Sequence, residues 1–172
     1  MSSLFNLHQL NLKINEAKIA VNPSAVNVFS RWHNLLTTTH KTEEQLQADF
    51  LNDIFGEVLG YAYKRGETEI NLEKEQKTEL DSQKPDGVLG FLNQQNKDIR
   101  VIIELKDSKI NLDTKQNRKN DNRTSVEQAF GYVAKYQKVE FVIVSNFAEI
   151  GTVASQICFN FLLVLRRNFA YF

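Results

Sequence analysis

The sequence has little of what marks many function classes. Among 172 residues there is one cysteine, Cys158, so neither an internal disulfide nor a zinc site with cysteine partners can be built. That fits a reducing, cytoplasmic setting. It carries no net charge: 21 basic residues cancel 21 acidic ones, and no whole-molecule attraction to a polyanion exists. Any nucleic-acid binding has to come from a local patch. It also lacks a long hydrophobic run. Its most apolar stretch, residues 157–165, is broken by Asn160 and falls far short of the ~20 residues that span a bilayer. The start, MSSLFNLHQLNLKINEAK, alternates polar and apolar residues and lacks the apolar centre of a signal peptide. Together these absences predict a soluble cytoplasmic protein with no membrane partner. Internal repeats are absent too.

What is present is the balance of one ordinary domain: 42% hydrophobic and 24% charged residues, enough for a buried core. Residues 1–41 are expected to form an N-terminal helical extension. Its amphipathic start gives way at Pro23-Ser24 to a helix with Val26, Val28, Phe29, Trp32, Leu35 and Leu36 at helical spacing. Thr42 and Gln45 read as a capping box opening a second helix. Its stripe is Leu46, Phe50, Leu51, Ile54, Phe55 and Leu59, with Gly60 as the stop.

From Tyr61 the period changes. Tyr61, Tyr63, Thr68, Ile70 and Leu72 alternate as in a strand, before the charged loop EKEQKTELDSQK. Residues 86–92 (DGVLGFL) and 100–106 (RVIIELK) read as a hairpin around a polar tip. A polar loop follows over residues 107–124. Ser125 and Gln128 suggest a further capping box for a helix reaching Tyr136, and residues 139–145 (VEFVIVS) a fully buried strand. This order predicts an α/β fold with a mixed central β-sheet flanked by helices.

The chemistry-bearing feature is Pro85-Asp86 followed one hairpin later by Glu104-Leu105-Lys106. On a strand, Glu104 and Lys106 project to one side while Leu105 points to the other. The apolar run Val101-Ile102-Ile103 places that strand in the middle of the sheet, where a charged end is costly unless it has a task or reaches solvent. Hairpin pairing brings Asp86 close to Glu104. Two converging carboxylates form a hard, oxygen-rich site suited to Mg2+, or Mn2+, and a neighbouring lysine can orient water or stabilise a phosphorane. A solvated edge with an ordinary salt bridge is the competing interpretation.

At these residues the chain resembles the PD-(D/E)xK nuclease superfamily. Gln128-Ala-Phe-Gly-Tyr132 looks like the Q-x-x-x-Y helix motif of restriction-enzyme nuclease domains. The segment QAFGYVAKYQKVEFVIVSNFAEI is similar to the N-terminal nuclease domains of type IIG and type I restriction-modification enzymes. The resemblance spans residues 42–150 and implies a restriction-endonuclease-like core. It implies Asp86 and Glu104 as metal ligands, Lys106 as catalytic lysine, and Gln128 and Tyr132 facing the active site and the DNA backbone. An acid on the first core helix also joins the metal in such enzymes. Glu44 is the candidate, with Glu43 close behind, although either acid also suits a helix N-terminus.

The implied activity is Mg2+-dependent hydrolysis of double-stranded DNA in a restriction-modification system. The implied partners are methyltransferase and specificity subunits or domains. The alternative is a non-catalytic DNA-binding or assembly module of such a complex. The chain lacks a methyltransferase's glycine-rich loop and Asn-Pro-Pro-aromatic motif, and has no helicase P-loop. Lys109, Lys115, Arg118, Lys119 and Arg123 make a locally basic loop, tempered by Asp113 and Asp121; one reading has it touch phosphates of DNA lying over the site, the stronger one a solvated mobile loop. His8, His33 and His40 lack metal-ligand spacing, and Trp32 reads as core. Residues 151–172 depart from the family as an atypical apolar tail, which is expected to reflect a truncated or frame-shifted gene or a separate small subunit.

Overall fold

Helix α1, Ala25–Thr38, follows Pro23 as its spacing predicts and buries Ala25, Val28 and Trp32. Val26 lies on the outer face, exposed. The computed structural model describes residues 25–39, 41–63, 69–75, 83–93, 97–117, 121–136, 138–154 and 165–168. His8, His40, Cys158, Arg118, Lys119 and Thr68 lie outside the described residues, as does most of the charged loop after Lys74.

Helix α2, Glu43–Phe50, starts at Thr42 as expected, with the Gln45 side chain accepting the Thr42 N–H at 2.9 Å. It continues without a break into a π-helical segment, Leu51–Val58. The wider winding still buries Leu51, Ile54 and Phe55, but turns Leu59 out to solvent. Gly60 ends the run at φ +79°, the left-handed conformation a glycine adopts without steric cost.

The strand expected from Tyr61 is much shorter. Strand β1 is Leu72–Lys74 alone. Residues 61–63 are instead held by a loop closure in which Asn71 Oδ1 accepts the Ala62 N–H and the Ala62 carbonyl accepts Asn71 and Leu72. Strands β2, Gly87–Phe91, and β3, Asp98–Leu105, form the predicted hairpin. A bulge between Leu89 and Gly90 requires glycine, since a Cβ at Gly90 would stand 2.1 Å from the Asp98 carbonyl oxygen.

Helix α3, Ser125–Val133, crosses from β3 to β4, Phe141–Ser145, which runs parallel to β3. The helix is shorter than its apolar pattern predicts, and β4 is not fully buried, because Phe141 keeps 38% of its surface exposed. Strand β5, Glu149–Ala154, returns antiparallel to β4, and β6, Leu165–Asn168, pairs with β5. The six strands lie in the order β1-β2-β3-β4-β5-β6. The fold is therefore α/β with a mixed sheet. Pairing runs across residue 150, and residues 151–154 and 165–168 of the segment expected as an atypical tail are strands of the same sheet.

Strand alternation sorts the core into two layers. Leu89, Ile103 and Leu105 face Trp32, Phe50, Leu51, Ile54 and Phe55 from α1, α2 and the π-helical segment. Val88 and Ile102 face Tyr132, while Val142 and Val144 meet Val126 and Ala129 of α3. The helix expected in an N-terminal extension thus packs into the main core. Trp32 lies edge-on to Phe50 at 5.1 Å between ring centres and parallel to Phe147 at 6.1 Å. Its indole N–H donates to Asp53 at 2.9 Å, which satisfies the polar end of a buried ring. Among the described residues no helix is long and apolar enough to cross a membrane.

Candidate functional site

The hairpin register pairs Gly87 with Ile103, which carries Asp86, just ahead of β2, to the end of β3. There Asp86 Oδ2 accepts the Leu105 backbone N–H at 2.6 Å, and Oδ1 accepts the side-chain amide of Gln47. Gln47 is buried on the inner face of α2. On the other side of β3, the Lys106 N–H donates to the Ser145 carbonyl at 2.8 Å, extending the parallel ladder beyond the strand. Three backbone segments thus fix the positions of Asp86, Glu104 and Lys106.

Glu104 and Lys106 do not reach solvent: each is 3% exposed. Lys106 Nζ donates to Glu104 Oε1 at 2.5 Å and to the Leu105 carbonyl at 3.0 Å. Gln128 Nε2 donates to the same Glu104 oxygen at 2.8 Å. The other oxygen, Oε2, is the one buried side-chain polar atom without a hydrogen-bond partner among the described residues. Desolvation pushes the Glu104 carboxyl up to about 7. Lys106 opposes that rise, while Asp86 and Glu43 add to it by repulsion. Asp86 is raised as well, again chiefly by burial, against the pull of the Leu105 N–H and Lys106. Two carboxylates thus sit together under tension, with one oxygen unsatisfied.

Helix α3 supplies the remaining polar groups, through a cap one residue earlier than its sequence predicts. Thr124, not Ser125, is the N-cap. Its hydroxyl accepts the Glu127 N–H at 3.1 Å, and the Glu127 carboxylate accepts the Thr124 N–H at 2.7 Å. Because Glu127 closes this box, the Gln128 side chain is released to reach Glu104. Gln116, from the loop before the helix, donates to Gln128 Oε1 at 3.1 Å and so orients the Gln128 amide. Tyr132, one turn further along, is buried and donates its hydroxyl to the Lys84 carbonyl at 3.2 Å. Burial first, then Glu104 and Asp86, push its phenol up to about 12.

Of the two acids opening α2, Glu43 is the one whose charge is felt at Glu104. It lies one turn before Gln47, is half-buried and raises the Glu104 carboxyl electrostatically, whereas Glu44 is exposed on a neighbouring face. Lys109 and Lys115 occupy the loop after β3, and His33 is exposed on α1. Among the described residues no three His, Cys, Asp or Glu side chains are grouped as a metal cluster. One buried and one half-buried carboxylate, with an unpartnered oxygen on the former, nonetheless fit a hard divalent cation that keeps most of its ligands as water.

Gln47 and Gln116 are the functional candidates that sequence reading does not single out. A buried glutamine in an otherwise apolar helix face is a faint signal for Gln47, sitting between Leu46 and Phe50. For Gln116, inside a polar loop, no local signal exists. Searches of protein-family models, of curated proteins and of solved structures each find no match for the chain.

Proposed function

We propose that the chain is a metal-dependent endodeoxyribonuclease of the restriction type, with a restriction-endonuclease-like core. The observation that carries this reading is the Asp86–Glu104–Lys106 constellation, in which buried Glu104 keeps Oε2 without a partner beside the half-buried Asp86 carboxylate. Burying Glu104 with one oxygen unsatisfied, next to a second acid, is expensive, and a bound cation would offset that cost. Asp86 and Glu104 would hold Mg2+ or Mn2+, and Glu43 rather than Glu44 would add the further acidic field. The cation would supply neutralisation of the phosphate and acidification of water.

The chain's own groups then divide the remaining work. Lys106 Nζ, fixed by Glu104 and the Leu105 carbonyl, orients the attacking water and stabilises negative charge on the phosphate oxygens. Water loses a proton to solvent as its oxygen bonds to phosphorus, one P–O ester bond breaks, and the departing oxygen takes a proton from solvent. Gln128 holds Glu104 in its ligating orientation, and Tyr132 walls the site on the α3 side. Double-stranded DNA is the proposed substrate. Methyltransferase and specificity subunits or domains are the proposed partners.

The second reading, a non-catalytic DNA-binding or assembly module, is favoured by one observation, the lack of a three-acid metal group among the described residues. Incubating purified protein with plasmid and Mg2+ or Mn2+ separates the two. The nuclease reading expects metal-dependent nicking that Asp86→Asn and Lys106→Ala each reduce by at least a hundredfold. Metal-dependent DNA binding without strand breakage, unchanged by Lys106→Ala, would establish the module instead.

A further inference from the structure

Although the chain has no net charge, cations gather around Tyr132 on the α3 side of the carboxylate site. Lys135 Nζ stands 5.2 Å from the centre of the Tyr132 ring and donates to Gln83 at 2.6 Å. Lys84, whose carbonyl receives the Tyr132 hydroxyl, is paired with Glu75 at 3.3 Å. Arg123 lies on the side nearer the start of α3. It grips both oxygens of Asp121 through Nε and Nη2, each at 2.8 Å, and its backbone N–H donates to the same carboxylate at 3.1 Å.

The third guanidinium nitrogen, Nη1, has no hydrogen-bond partner among the described residues. It lies across α3 where the helix carries Gly131, and a Cβ at that position would stand 2.8 Å from Nη1. Glycine inside a helix costs stability relative to alanine, so the helix gives up stability where the guanidinium rests. An exposed ion pair contributes little to folding and does not by itself call for such a gap. What the gap provides is room for the guanidinium to lie against the helix, with Asp121 gripping its other edge. Asp121 holds the Arg123 charge up most strongly, and Tyr132 and Glu104 reinforce it, which puts the guanidinium within the field of the site.

We propose that Arg123, seated over Gly131 and oriented by Asp121, binds a backbone phosphate of the nucleic acid whose ester lies at Asp86 and Glu104. This rests on the nuclease reading. A guanidinium with one face committed to a carboxylate and Nη1 still open presents a directed donor to a phosphate oxygen. It carries no base specificity, and each phosphate it neutralises releases counterions. With Asp121 sharing its charge, Arg123 contributes chiefly a directed hydrogen bond, beside Lys84 and Lys135, to a phosphate at this site.

The test measures the affinity of the full chain for a short mixed-sequence duplex in Ca2+, across a salt series, together with Tm. Arg123→Ala and Gly131→Ala are compared with wild type. In the second variant the methyl group displaces the guanidinium while the helix gains propensity. Both variants are expected to bind about tenfold more weakly, with the salt dependence reduced by roughly one phosphate contact. Gly131→Ala should also melt at or above the wild-type temperature, which separates loss of binding from loss of fold. Wild-type affinity and salt slope in either variant, while the wild type binds and cleaves duplex DNA, would overturn the Arg123 assignment and leave the nuclease reading standing. A wild type that neither binds nor cuts duplex DNA with any divalent cation would remove both.

Discussion

The side-chain amide of Gln47 donates to Asp86 Oδ1 across 39 positions of sequence, while Asp86 Oδ2 takes the Leu105 N–H. Both oxygens of one carboxylate are therefore oriented by groups from different elements, α2 and β3. Such supports typically change metal affinity by about 10–100-fold when removed. Gln47→Leu keeps the volume and the burial but deletes the donor. Its melting temperature without metal should stay close to wild type, while the Mn2+ concentration needed to raise Tm should increase about tenfold. An unchanged metal titration would show that Leu105 alone suffices to position Asp86.

Glu104 gives the metal-free protein a pH-dependent stability of definite sign. Its folded value of about 7 lies above its ordinary 4.5. The stability gained from the proton is fully present below about 4.5 and is lost as pH rises through about 7. Glu104→Gln mimics the protonated form at every pH. The Tm of the variant minus that of wild type should therefore grow by several degrees between pH 5 and pH 8.5 in the presence of a chelator. A constant difference across that range would mean that Lys106 compensates the buried carboxylate fully.

The two glutamines on the α3 side form a relay, Gln116 to Gln128 to Glu104. Gln116→Ala leaves the Gln128 amide free to flip and to present its oxygen to Glu104. In a cleavage assay this should lower kcat about tenfold with KM for DNA little changed. Gln116→Glu should be worse, because it places another negative charge near Glu104. A rise in KM at constant kcat would instead make Gln116 a DNA contact.

Phe147 is fully buried with φ +67°, in the turn from β4 to β5, and its ring meets Phe50 at 5.1 Å and Trp32 at 6.1 Å. The left-handed backbone costs about 1–2 kcal/mol for such a residue, which ring burial offsets. Phe147→Ala should lose about 3–5 kcal/mol, visible as a large drop in the urea midpoint. A loss below about 1 kcal/mol would mean that the aromatic cluster collapses around the missing ring.

The elements that were legible in the sequence are those whose periodicity runs unbroken: α1 from Ala25, α2 from its Thr42 cap, the β2–β3 hairpin and β4. Where several local signals competed, the reading shifted. Thr124-Ser125 offers two adjacent caps, and Glu127 chose the first by closing the box. The alternation from Tyr61 resembled a strand, yet Ala62 spends its backbone bonds on Asn71 and Leu72. Residues after 150 lacked a readable pattern because a strand joining a sheet edge is defined by its neighbour, here β4, rather than by its own spacing.

By itself, the sequence determined that Asp86, Glu104 and Lys106 would converge, because a short hairpin and strand alternation leave two flanking segments little freedom to separate. It also determined which stripe of each helix would turn inward. Only the tertiary structure decided that Glu104 and Lys106 are buried, that the Glu43 charge is felt at Glu104 while Glu44 is exposed, and that Gln47 supports Asp86 and Gln116 supports Gln128. Those contacts join residues tens of positions apart. Their partners are set by how helices pack on a twisted sheet, which is a property of the assembled core and of no single segment.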